Sequence, residues 1–248
     1  MDMLLTGIKK KALKLADGLE LVDFGSALPY TWVLLKGPEG KALGVAMTLP
    51  EEVQRYRNSV SEPSLNAFIE RADSLNVIER TLGLAAINAV SQYHIGLRNA
   101  EFADVLEFLP ENAGKVALIG NMLPLAKALR KRGFEVFIFE RNPKLWDKDT
   151  YSDALEYHLL PEMDAVVASA SCLVNGTIDM LLDRVKKAEL FVLTGPTGQL
   201  LPEFLKGTGV THLASMKVVD IERAILGLKL GSFRGFEEGN KKYVVRVE

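Results

Sequence analysis

Cysteine is nearly missing from this chain: Cys172 is the single one in 248 residues. An internal disulfide is therefore excluded, and so is a zinc site built on paired cysteines. Histidine is almost as scarce. His94, His158 and His212 lie far apart, and no two share the i, i+4 spacing that places two imidazoles on one helix face. Charge of one sign is also lacking. With 30 Lys and Arg against 32 Asp and Glu, the net charge is -2, without the basic excess that drives phosphate-backbone binding. Nucleic acid is not an expected partner; the cationic runs Lys9-Lys10-Lys11 and Arg130-Lys131-Arg132 read as solvated helix faces. No apolar run approaches the roughly 20 residues of a membrane span. The N-terminal leucines are interrupted by charged residues, unlike the unbroken core of a signal peptide. A cytoplasmic protein with no membrane partner is expected.

What is present describes an α/β chain in two parts. Hydrophobic residues make up 48% of the sequence, enough for a sizeable core, and cores usually split at roughly 100 to 200 residues. Leu4, Ile8, Ala12 and Leu15 predict a helix over 3–16, and "ELVDFGSAL" predicts a strand. Two apolar runs around Gly37-Pro38-Glu39-Gly40 predict a hairpin. Helices are expected over 61–73 and 74–93, the second with Ile78, Leu82, Ala85, Ala89 and Tyr93 on one face. Its run "GLAAINA", 83–89, is built of small residues that permit close approach to a neighbour. The first domain is expected to be a small α+β unit over 1–108. "LPENAGK", 109–115, with Pro110, Asn112 and Gly114, is the expected linker.

Over 109–248 the pattern alternates. "KVALIG", "EVFIFE", "DAVVASAS", "ELFVLTG" and "THLASMKVV" read as buried strands. Helices are expected within "MLPLAKALRKRG" and over 151–160, 178–188, 202–206 and 221–230. Such alternation indicates a mostly parallel sheet covered on both faces. The closing "KKYVVRVE" is expected at a sheet edge.

Parallel sheets bind ligands at the carboxyl ends of their strands, where the strand order reverses. Three strand-to-helix turns have the right composition: "IGNMLP" at 119–124, "SASCLVNGT" at 169–177 and "TGPTG" at 194–198. Any one of them is ordinary for an α/β protein; three on one edge point to a small-molecule site. Gly120, Asn121, Asn175, Thr177, Gly195, Pro196 and Thr197 are the expected lining. Asn175-Gly176-Thr177 has a second reading, with Thr177 capping the next helix. Glu140 follows Gly120 by twenty positions, where an acid reaches a ribose hydroxyl. The G-x-G-x-x-G fingerprint is nevertheless absent, since Asn121, Met122, Leu123, Pro124 and Leu125 follow Gly120. Asn88, inside an apolar helix, either bonds to backbone across a domain contact or faces a ligand. No residue qualifies as nucleophile or general base, and no cofactor is assigned.

Three stretches carry a family resemblance: "IERTLGLAAINAV" at 78–90, "LVNGTIDMLL" at 173–182 and "LTGPTGQLLPEFLKGTGV" at 193–210. The chain resembles an uncharacterised family whose C-terminal half is labelled a heavy-metal chelation domain. The resemblance implies an enolase N-terminal-like α+β domain joined to a Rossmann-like domain, with a site in the cleft between them for a small molecule or metal chelate. It implies Asn88, Asn175, Thr177, Gly195, Pro196 and Thr197 as site residues; Gly120, Asn121 and Glu140 come from the fold argument. Two other functions stay open: an enzyme using a nucleotide or S-adenosylmethionine, and a noncatalytic partner protein with an exposed apolar patch near 226–236. The same stretch, "GLKLGSFRGF" at 227–236, is where a homo-oligomer would pair.

Overall fold

The computed structural model describes residues 3–96, 105–110 and 113–247. Helix α1 (Leu4–Leu15) buries Leu5, Ile8 and Ala12, the stripe expected from their spacing. Strands β1 (Glu20–Gly25), β2 (Tyr30–Gly37) and β3 (Gly40–Met47) form an antiparallel sheet in that order. β2 and β3 pair from Tyr30 opposite Met47 to Gly37 opposite Gly40, so the hairpin turns on Pro38-Glu39. Helix α2 (Leu65–Ile69) is shorter than the expected 61–73. Ser64 caps it by accepting the Ala67 N–H at 3.1 Å, and irregular turns fill the chain up to Asn76. Asn76 in turn caps α3 (Val77–His94), accepting the Ile78 N–H at 3.0 Å.

Every residue of α3 from Thr81 to Gln92 is buried. A helix buried all round lies between two layers, and this one packs on the small sheet with one side and on the second half of the chain with the other. Its approach to β3 is close: a Cβ at Gly44 would lie 2.0 Å from the Ala89 nitrogen and 2.4 Å from the Ala85 oxygen.

The second half runs β4 (Lys115–Ile119), α4 (Leu123–Lys131), β5 (Glu135–Glu140), β6 (Thr150–Ser152), α5 (Glu156–Leu159), β7 (Ala165–Ser169), α6 (Ser171–Asn175), α7 (Ile178–Arg184), β8 (Leu190–Thr194), α8 (Pro202–Leu205), β9 (His212–Val218), α9 (Ile221–Lys229), α10 (Phe233–Glu237) and β10 (Asn240–Arg246). The seven strands lie in the order β10-β9-β8-β7-β4-β5-β6, parallel except for β10 against β9. The stretch expected to be a helix over 151–160 begins as strand β6, because Thr150 to Ser152 extend the sheet beside Ile138 to Glu140. The turn 169–177 folds into α6, the helix expected over 178–188 ends at Arg184, and α10 was not expected. Asn112 of the expected linker and Glu248 of the last strand lie outside the described residues.

The architecture is a mixed α/β fold, with a mostly parallel sheet and a separate small antiparallel one. One apolar cluster joins them, from Val33 and Leu35 of β2 through Ala85 and Ala89 of α3 to Ala117, Phe191 and Leu213 of the large sheet. Among the described residues no helix is long and apolar enough to cross a membrane.

Candidate functional site

The strand order reverses at β4, with β5 on one side and β7 on the other. The diverging loops leave a hollow of about 60 Å³ at the carboxyl ends of these strands. Gly120 forms its floor, with φ +101° and its N–H on the Phe139 oxygen at 2.7 Å. Only glycine adopts that φ without strain, and a Cβ there would also press on Ser169 at 3.2 Å.

Glu140 ends β5 and clamps two loops. Its Oε2 accepts the Asn121 N–H at 2.9 Å and its Oε1 the Asn142 N–H at 2.8 Å. The Asn121 amide donates to the Leu145 oxygen and the Trp146 indole to the Glu140 oxygen, so these groups fasten the loop after β5. Arg141 reaches both halves of the chain, bonding Glu52 and Asp153 at 2.8 Å each.

The opposite wall comes from β7 and α6. Ser169 and Ser171 hydroxyls lie 2.9 Å apart. Asn175 Oδ1 accepts from the Thr177 N–H at 3.1 Å and from its hydroxyl at 2.8 Å. The cap expected of Thr177 is therefore not made: its hydroxyl turns back to Asn175, and α7 starts without a side-chain cap. Cys172 is buried here, and burial first, then the nearby Glu156, pushes its thiol well above the ordinary range. It is not poised as a nucleophile. Glu156 closes the hollow. It is 2% exposed, and its carboxyl is pushed up to about 8 by burial first and then by Asp153 and Glu140, against an opposing pull from Arg141.

The third turn sits elsewhere on the same edge. β3 is an edge strand, and its outward backbone groups need partners. Thr197 Oγ1 accepts the Met47 N–H at 2.9 Å, and Gln199 Oε1 the Val45 N–H at 3.0 Å. Asn88 donates to the Val45 oxygen at 2.7 Å and the Thr197 oxygen at 2.8 Å. Of its two readings, Asn88 takes the backbone bond between the halves, and Thr197 faces β3 rather than the hollow. Gly195 and Pro196 border a separate apolar depression of about 630 Å³ with Met122, Leu125 and Tyr243. The hollow thus gathers Gly120, Glu140, Asn175 and Thr177, with Asn121 bound to its rim. Sequence reasoning missed Arg141, Asp153, Glu156 and the seam residue Gln199. "YSDALEYH" reads as part of an ordinary helix over 151–160, with no signal that Glu156 faces inward.

Two family profiles match the chain, both described as "Putative heavy-metal chelation", one over residues 104–247 and one over 9–91. The chain belongs to this family. An uncharacterized protein of Methanocaldococcus jannaschii is 45% identical, covering 99% of both chains. A crystal structure of a Pyrococcus horikoshii protein of unknown function is 67% identical and superposes with a TM-score of 0.97, covering 99% of this chain and 100% of that one. A second protein of unknown function, from Desulfitobacterium hafniense, is 22% identical with a TM-score of 0.73, covering 97% and 98%, and shares the fold.

The family description raises direct ligation of a metal ion, and the side chains do not fit it. Among the described residues no group of three or more His, Cys, Asp and Glu is placed to hold one. Heavy metals favour thiolate and imidazole, whereas Cys172 is held protonated and His94, His158 and His212 lie on three separate elements.

Proposed function

We propose that the hollow at the β4 strand reversal, with the cleft between 1–108 and 109–248, binds a small polar ligand. In this reading metal chemistry runs through the ligand, a chelating metabolite or its precursor, rather than through side chains of the protein. The observation that carries it is a hollow with the polar groups of Ser169, Ser171, Asn175 and Glu156, set at the ligand position of a parallel sheet. Gly120, Asn121, Glu140, Asn175 and Thr177 shape the pocket. Asn88 and Thr197 support it by holding the halves together, and Gly195 and Pro196 make the turn that carries Thr197. An adenosyl ligand suits the hollow less well, because its volume is small and both oxygens of Glu140 already accept backbone N–H groups.

Native mass spectrometry of protein purified without chelators, compared with its denatured mass, tests this reading. The expected result is one excess mass per chain, lost in Ser171→Ala with unfolding unchanged. An adenosyl mass, or equal occupancy in the variant, would overturn it.

A second reading has its own observation. Leu28, Leu226, Leu230 and Phe233 are 56%, 57%, 72% and 42% exposed, and a Cβ at Gly231 would lie 3.4 Å from the Leu28 oxygen, so an apolar face spans both halves. That face suits a partner chain or a second copy.

A further inference from the structure

Glu156 is a buried acid that the hydrogen bonds described above leave unused. It opens α5, lines the hollow and is 2% exposed, yet no hydrogen bond or ion pair engages its carboxyl among the described residues. Buried carboxyls normally have partners, so an unengaged one facing a hollow marks where a ligand atom belongs.

Its surroundings fix the sign of that ligand. Asp153 lies just before α5 and Glu140 ends β5, and both act on Glu156 with negative charge. Arg141 acts with positive charge but is shared between Glu52 and Asp153. From α6 comes the protonated thiol of Cys172. α7 also packs on α5, but its Asp179 accepts the Leu4 N–H and its Arg184 donates to the Tyr157 oxygen. The hollow itself is thus lined by three carboxyl groups and one guanidinium.

We propose that this hollow takes the protonated amine or amidine head of a small organic ligand, with Glu156 as the acceptor that releases its proton when the cation enters. The inference rests on the crevice reading above. The step balances: a carboxylic acid and a free ammonium become a carboxylate–ammonium pair, and one proton passes to solvent. Charge-assisted hydrogen bonds of this kind are the strong ones, and the bound cation offsets the burial cost and the repulsion that keep Glu156 protonated. An anion would meet three carboxyls instead. A divalent metal ion takes about six oxygens, whereas Glu140 is bound to two backbone amides and Asp153 to Arg141, leaving one free carboxyl. Size agrees. One water needs roughly 10–15 Å³, so about 60 Å³ holds a head group of a few heavy atoms, with the rest of the ligand in the cleft outside. The proton affinity of Glu156, raised to about 8, keeps it protonated at neutral pH in the free protein, so binding and proton release are linked.

Methylammonium and guanidinium, titrated at low millimolar concentrations into the full chain at neutral pH, test the proposal. Calorimetry in phosphate and in MOPS, a bulky tertiary-amine buffer, counts protons, and the amide NMR signals of Gly120, Ser169 and Ser171 locate binding. Saturable shifts at those amides with close to one proton released are expected. Glu156→Gln, nearly isosteric, should abolish the release and weaken binding about tenfold. Asp153→Asn should weaken it less and reduce the release, because one of the two charges that add to burial in raising Glu156 is gone. Cation binding without proton release, or unchanged in Glu156→Gln, overturns the proposal. Shifts with acetate or glycerol but not with the cations overturn the proposal and leave the crevice reading standing. Silence from all four probes overturns both.

Discussion

Asn88 donates its amide to carbonyl oxygens from two halves of the chain, and Glu156 leaves its carboxyl open to a hollow. Removing the first strands two buried acceptors, each worth about 1–3 kcal/mol when left without a donor. Asn88→Ala should therefore lower stability by about 2–4 kcal/mol in urea unfolding; a loss below about 1 kcal/mol would mean that water replaces the amide. Glu156 acts through pH. Its folded-state affinity lies above the ordinary value of 4.5 and reaches about 8. Between those limits the unfolded chain ionises while the folded chain holds its proton, so stability falls as pH rises. Relative to Glu156→Gln, the wild type should lose roughly 1.4 kcal/mol per pH unit across that window and show no difference below it. Parallel unfolding curves at pH 5 and pH 8 would remove the buried-acid account. At this scale the sequence was half legible. A polar residue inside "GLAAINAV" announced its own cost, whereas nothing in "DALEYH" distinguished an inward acid from a solvated one.

Between elements, α3 packs closely on β3. A Cβ at Gly44 would sit 2.0 Å from backbone nitrogen, and backbone on a packed helix has no rotamer by which to yield. Gly44→Ala should cost about 1–3 kcal/mol or more. Gly7→Ala on α1, where a Cβ would meet nothing within 4 Å, should be neutral or stabilising by up to about 1 kcal/mol. Thermal unfolding of the two variants checks the pair; similar midpoints would mean the sheet shifts to accept the methyl. The run of small residues over 83–89 foretold a close neighbour. It did not say that β3 was the neighbour, because that depends on a contact between segments forty residues apart. The turn at 194–198 shows the same limit: its glycines and proline foretold a sharp turn, but its use as a clasp on an edge strand depends on β3 lying opposite.

For the whole molecule, the apolar cluster that runs through both sheets is what joins the halves. The Arg141–Glu52 bridge between them is partly exposed, and such pairs are worth about 0–1 kcal/mol. The exposed face at Leu28, Leu226, Leu230 and Phe233 carries its own test. Light scattering behind size-exclusion chromatography should show more than one copy if the face pairs subunits. Leu226→Glu with Leu230→Glu should then give a monomer, with stability changed by no more than about 0.5 kcal/mol per site. A monomeric wild type would leave this face to a different partner.

Periodicity, caps and turn composition are local, and they determined the α/β class, most of the strands, the hairpin and the turn that holds Gly120. Local pattern also placed Glu140 at the end of its strand. The strand order, and with it the position of the hollow, came only from the tertiary structure. So did the inward turn of Glu156, the bridging by Arg141 and the seam made by Asn88, Thr197 and Gln199. The reason is physical. An element forms from neighbours a few residues away, whereas burial, charge balance and hydrogen-bond partners are set by groups such as Val45 and Thr197, which meet only when the chain has closed on itself.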